Sequence, residues 1–119
     1  MRQVINLDAA ARQVENRFPS WRGRGWDVGP MTWADGQTSV NDVTTDRGAV
    51  RGDYSVGVKA SRGDAEAELV VYAGGWCDLL FWSGRVTDAP IDEAPGWEDW
   101  LDLEALGRVL DHFESLILG

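Results

Sequence analysis

One cysteine, one histidine and no long apolar run leave this chain short of most things that catalysis, cross-linking or membranes require. Cys77 has no second cysteine to pair with, so an internal disulfide is excluded and a reducing compartment fits best. His112, between Asp111 and Phe113, has no second His or Cys at ligand spacing, which points to a structural or surface role. The longest apolar stretch, around residues 79–82, is the size of a strand, and the residues from Met1 to Asn6 lack the apolar core of a signal peptide. No membrane association is expected, and the expected location is the cytoplasm. Positive charge is also scarce: 11 Lys and Arg face 20 Asp and Glu, a net charge of −9. That field repels a phosphate backbone, so nucleic acid is not an expected partner.

What is present is apolar surface, acid and tryptophan. A chain of 119 residues with 44% hydrophobic and 26% charged residues is expected to fold as one domain spanning 1–119. Seven Trp are several times common usage, and each brings a large ring and a donor that needs a partner. The charge is uneven. Residues 1–25 carry five arginines against Asp8 and Glu15, a net of +3, whereas residues 87–119 carry nine acids against Arg108, a net of −8. Such a stretch is either a solvated face or a surface that attracts a basic partner.

Asn6 or Asp8 can cap a helix with Leu7, Ala10, Ala11, Val14 and Phe18 on one side, ended by Pro19. The Gly- and Trp-rich residues 21–36 predict an irregular strand around 26–33, and the polar stretch after them a short strand near 40–43. From 50 to 60, Val50, Gly52, Tyr54, Val56, Val58 and Ala60 alternate with polar residues or glycine, the period of a strand with one wet face. After a turn at 61–64 comes a second strand, with Ala65, Ala67, Leu69, Val71 and Ala73 on one face and Glu66 and Glu68 opposite. Gly74 and Gly75 predict a two-residue hairpin turn. The third strand, from Trp76 to Trp82, is apolar on both faces for most of its length, which predicts a strand central in the sheet or covered on both sides, with Trp76 and Trp82 in the core. Residues 88–96 read as a loop. Asp102 then caps a helix whose stripe is Leu103, Leu106, Val109, Leu110, Phe113, Leu116 and Ile117. The expected fold is α+β: an antiparallel meander of three to five strands with an N-terminal and a C-terminal helix packed on it.

Few motifs carry chemistry. Residues 23–29 have glycines but follow no strand and open no helix, so they are no phosphate loop. Cys77 reads as a small buried hydrophobe. Asp88, Asp92 and Glu93 lack the spacing of a calcium loop. No catalytic residue, cofactor or metal site is expected. Trp97 and Trp100, interleaved with Glu98, Asp99 and Asp102, are the informative cluster. They either staple the start of the helix or form an aromatic anchor ringed by acids, the composition of a binding hot spot. Trp21, Trp26 and Trp33 allow the same two readings.

The Trp-rich composition, the strand pair Leu69-Val70-Val71-Tyr72-Ala73-Gly74-Gly75-Trp76-Cys77-Asp78-Leu79-Leu80 and the acidic entry into the last helix resemble the Trp-rich (TriTu-like) immunity proteins of bacterial polymorphic toxin systems. The resemblance spans roughly residues 50–118. It implies a cytoplasmic antidote without catalytic residues that binds and blocks a cognate toxin. The expectation is therefore a monomer or homodimer that binds a basic toxin domain through Trp97, Glu98, Asp99, Trp100 and Asp102. The rival expectations are an acidic secretion chaperone, which needs an exposed hydrophobic groove, and a small-ligand-binding domain lined by the Trp-rich segment.

Overall fold

The computed structural model describes residues 4–36 and 43–118. Helices α1 (Leu7–Glu15) and α2 (Phe18–Gly23) are followed by strands β1 (Asp27–Val28), β2 (Thr32–Ala34), β3 (Ser55–Arg62), β4 (Ala65–Tyr72), β5 (Trp76–Trp82) and β6 (Ile91–Glu93). Helix α3 (Leu103–Leu118) comes last. The fold is α+β, as the periodicities require. All six strands join one antiparallel sheet in the order β1-β3-β4-β5-β6, with β2 also paired to β3.

Asn6 caps α1 by accepting from the Ala9 N–H at 2.9 Å, and Leu7, Ala10, Ala11 and Val14 are buried. Pro19 does not end this helix. Helix α1 stops at Glu15, and Pro19 sits in the first turn of α2, which also takes in Phe18. A proline is suited to that position, because its missing N–H would find no partner in the helix anyway.

The irregular strand expected at 26–33 is divided into β1 and β2 by the cis Gly29–Pro30 peptide. Both pair with β3, Val28 opposite Ala60 and Trp33 opposite Val56. Of the strand expected near 40–43, residues 40–42 lie outside the described residues. Beyond them Thr44 makes an isolated bridge to Trp33. Strand β3 starts at Ser55 rather than residue 50, because Gly52 turns the chain at φ +78°.

The meander β3-β4-β5 is present, joined first through Gly63-Asp64. The second turn is one residue longer than expected: Tyr72 pairs with Trp76, so Ala73, Gly74 and Gly75 all lie in the loop, and only Gly75 has a positive φ, +97°. Ala73 faces inward and its carbonyl accepts from the N–H groups of Val4 and Ile5 at 2.7 and 3.2 Å, tying the chain start to the hairpin. Residues 88–96 are not wholly loop, since β6 pairs Ile91 with Phe81 and Asp92 with Leu80.

The three helices cover one face of the sheet. Val56, Val58, Ala60, Ala67, Leu69, Val71, Cys77 and Leu79 alternate inward and join Leu7, Val14, Trp21, Leu106, Leu110, Phe113 and Ile117 in a single buried cluster. Trp21, fully buried, lies between Phe18 and Phe113 with ring centroids 5.8 and 5.4 Å away. Its indole N–H donates to Glu114 Oε1 at 2.8 Å, and Trp26 donates to the Ile117 carbonyl at 3.0 Å. The second bond satisfies a carbonyl in the last turn of α3, which has no partner within its own helix. Arg17 bridges to Asp111 and Glu114 at 3.0 and 2.8 Å, so α3 is clamped to the N-terminal helices by charge as well as by apolar contact.

Candidate functional site: an acidic, aromatic surface

The segment between β6 and α3 is held at both ends. The Cys77 N–H donates to the Pro95 carbonyl at 2.9 Å, and the Leu101 N–H donates to the Gly75 carbonyl at 2.8 Å. Gly96 permits this closeness. With φ +85°, a Cβ there would lie 2.8 Å from the Gly75 carbonyl oxygen and from Leu101 Cβ. Leu101 is buried and precedes Asp102, whose carboxylate accepts from the Ala105 N–H at 2.7 Å. Leu101 and Leu106 thus occupy the two positions of a hydrophobic staple.

Trp97 and Trp100 are therefore not the staple. Each is 69% exposed. Glu98 and Asp99 are exposed as well, and neither makes an ion pair among the described residues. The structure brings Trp97, Glu98, Asp99 and Trp100 together on a short exposed loop. It places Asp102 at the loop's base, where the carboxylate is engaged as a helix cap. Anchored ends mean that little conformational entropy is lost when such a loop meets a partner.

Trp97 does not stand alone. Its ring meets Trp76 edge to face at 5.4 Å and 87°. Trp76 stacks on Tyr72 at 4.9 Å and 16°, and Tyr72 meets Tyr54 at 5.6 Å and 75°. Four rings thus form a continuous row from the loop onto the sheet face that carries no helix among the described residues. Strand β5 is interior to the sheet, between β4 and β6, as one of the two expectations had it, but the structure corrects the other: β5 is covered on one side only, and Trp76 and Trp82 are half-buried on the open side rather than core. The signal was Asp78. It shares the parity of Trp76, Leu80 and Trp82, opposite to that of buried Cys77 and Leu79, and so marked that side as wet.

The register places neighbours on this open face. Glu66 lies between Ser61 and Trp82, Glu68 between Lys59 and Leu80, and Val70 between Gly57 and Asp78. Asp27 of β1 and Asp92 of β6 extend the rows at the two edges. Among the described residues, five carboxylates therefore share the face with one cation, Lys59, which lies 3.8 Å from Glu68. Leu80 is 40% exposed among them. The Tyr72 hydroxyl donates to Asp78 at 2.8 Å; burial first, and then that carboxylate, push its ionisation well above the usual tyrosine range. At the Trp82 end the face deepens into an open groove of about 670 Å³ bordered by Lys59, Glu66, Glu68, Leu80 and Trp82.

The nucleophile candidates are dispersed. Cys77 is buried on the helix-covered side, and that burial pushes its thiol up to about 12. His112 is exposed on α3 and pairs with Glu93 at 2.8 Å. Among the described residues no group of three or more His, Cys, Asp or Glu converges as metal ligands, and no helix is long and apolar enough to cross a membrane. Trp21, Trp26 and Trp33 are all buried, which assigns them to the core. No family model matches this chain, and neither curated proteins nor solved structures give a match.

Proposed function

We propose that this chain is an immunity-type antidote: a cytoplasmic bacterial protein that neutralises a cognate toxin by binding a basic surface of the toxin domain, without catalysing a reaction. The observation that carries this reading is the pair of tryptophans, each 69% exposed, on a loop anchored at both ends and interleaved with unpaired acids. Exposed indoles ringed by charge supply the buried area that slows dissociation, and the acids speed encounter with a basic partner. The chaperone alternative draws no support from α3, whose wide apolar stripe is occupied by the sheet and the N-terminal helices, with Phe113 fully buried against Trp21.

The test is co-purification with the toxin from the native host, followed by binding kinetics. Replacing Glu98 and Asp99 by Lys is expected to slow association several-fold at low salt, with the deficit shrinking as salt rises. Trp97→Ala or Trp100→Ala is expected to speed dissociation instead. Unchanged association after charge reversal would reduce the acids to solvated surface, and capture of a secreted effector by a dimer would favour the chaperone.

A further inference from the structure

The loop that carries the exposed tryptophans is one edge of a larger surface. The open sheet face continues from Trp97 through Trp76 and Tyr72 to Tyr54, and down β4 and β5 past Asp78, Glu68 and Glu66. No helix among the described residues covers it, and its apolar members, Val70, Leu80 and Trp82, stay half-buried or exposed between carboxylates. Two features coincide here. Among the described residues the charge is one-sided, five acids to Lys59, which disfavours a nucleic acid or an anionic membrane and favours a cation. The neutral area between the acids is largely aromatic, and a planar guanidinium stacks on an indole while donating to a neighbouring carboxylate. A lysine ammonium, a compact and strongly hydrated charge, matches the carboxylates but uses the flat ring area less well.

We infer that the uncovered face of β3, β4 and β5, together with the Trp97–Trp100 loop, docks an arginine-bearing segment of the protein partner, with guanidinium groups seated on Trp76 and Trp97 and paired with the face carboxylates. This rests on the reading of the chain as a binder of basic protein. It enlarges the contact site from the loop to the sheet and selects arginine over lysine. Same-face residues on β4 recur about every 6.6 Å, so Glu66 and Glu68 offer successive carboxylates to successive side chains of an extended segment.

Seven Trp give seven indole N–H signals in a nitrogen-15 spectrum, and the fold divides them into sets. Titration with nona-arginine at low salt is expected to move the signals of Trp76, Trp97 and Trp100 and to leave those of buried Trp21, Trp26 and Trp33 in place. Nona-lysine, with equal charge, is expected to bind about threefold or more weakly. Trp97→Ala should erase most of that preference, and Glu66→Gln with Glu68→Gln should weaken both peptides alike. Neither change removes a buried apolar side chain, and an unchanged set of buried indole signals would verify the fold. If both peptides bind equally and only the amides of residues 97–102 respond, the sheet-face site is wrong while the basic-partner reading stands. If neither peptide binds, both fall.

Discussion

The two faces of strands β3 to β5 are built from alternate residues of the same three segments, yet they have opposite fates. On one side Val56, Val58, Leu69, Val71, Cys77 and Leu79 vanish under helices. On the other, Tyr72, Trp76, Leu80 and Trp82 share the surface with Glu66, Glu68 and Asp78, and no helix among the described residues covers them. The tryptophans divide in the same way. Trp21 and Trp26 are buried, with indole donors held by Glu114 and the Ile117 carbonyl, whereas Trp97 and Trp100 are left in solvent. Aromatic content alone therefore does not define a core. What separates the sides is whether each row carries carboxylates, which resist desolvation, and whether an amphipathic helix is available to cover it.

The largest effect that would sharpen this contrast is at the helix-covered side. Phe113→Ala is expected to cost about 3–5 kcal/mol in denaturant unfolding, since it empties a fully buried site between Trp21 and the rest of the core. Retention of near-native stability would break the division. Next, Glu114→Ala removes the acceptor of the Trp21 indole and is expected to cost about 1–3 kcal/mol, the penalty for stranding a buried donor. Trp97→Ala should cost about 1 kcal/mol or less, because it gives up one edge-to-face contact and little buried area.

The smallest effects are chemical. Cys77 should resist thiol reagents in the native state, whereas a cysteine placed on the other face by Leu80→Cys should react readily; equal rates would refute the assignment of sides. The pH dependence has a defined sign. The Cys77 thiol rises from an ordinary value of 9.0 to about 12, so the unfolded chain loses that proton first as pH increases. Stability is expected to be fully present below pH 9 and to fall between about 9 and 12, with Tyr72, also raised, acting in the same direction.

Much of the architecture was legible because it rests on local periodicity. The alternation in 65–73 and the stripe Leu106, Leu110, Phe113, Ile117 are consequences of where side chains point in a strand or helix, and both emerged as read. Pro19 misled because proline suits a helix start as well as a helix end, and the choice depends on what Phe18 and Trp21 can pack against. The three residues of β6 are too few to show a period, and the strand exists through its pairing with β5.

The surface was half legible. Its loop residues, Trp97 to Trp100, were visible as an aromatic pair among acids. Of its remaining rings, Trp76 was hidden by the expectation that an apolar strand lies in the core, and Tyr54 by an alternation that put it on the face of Val56 and Val58, although the strand begins only at Ser55. By itself the sequence determined the elements with a strong period, the acid-rich C-terminal third and the poverty of catalytic side chains. The tertiary structure alone decided which face of β5 is covered and which tryptophans are buried. It also set the register that joins Tyr72 to Trp76 and, through the Leu101–Gly75 hydrogen bond, brings Trp97 onto Trp76. Periodicity is a property of neighbours along the chain, whereas cover and register depend on residues far apart in sequence that must compete for the same apolar surface.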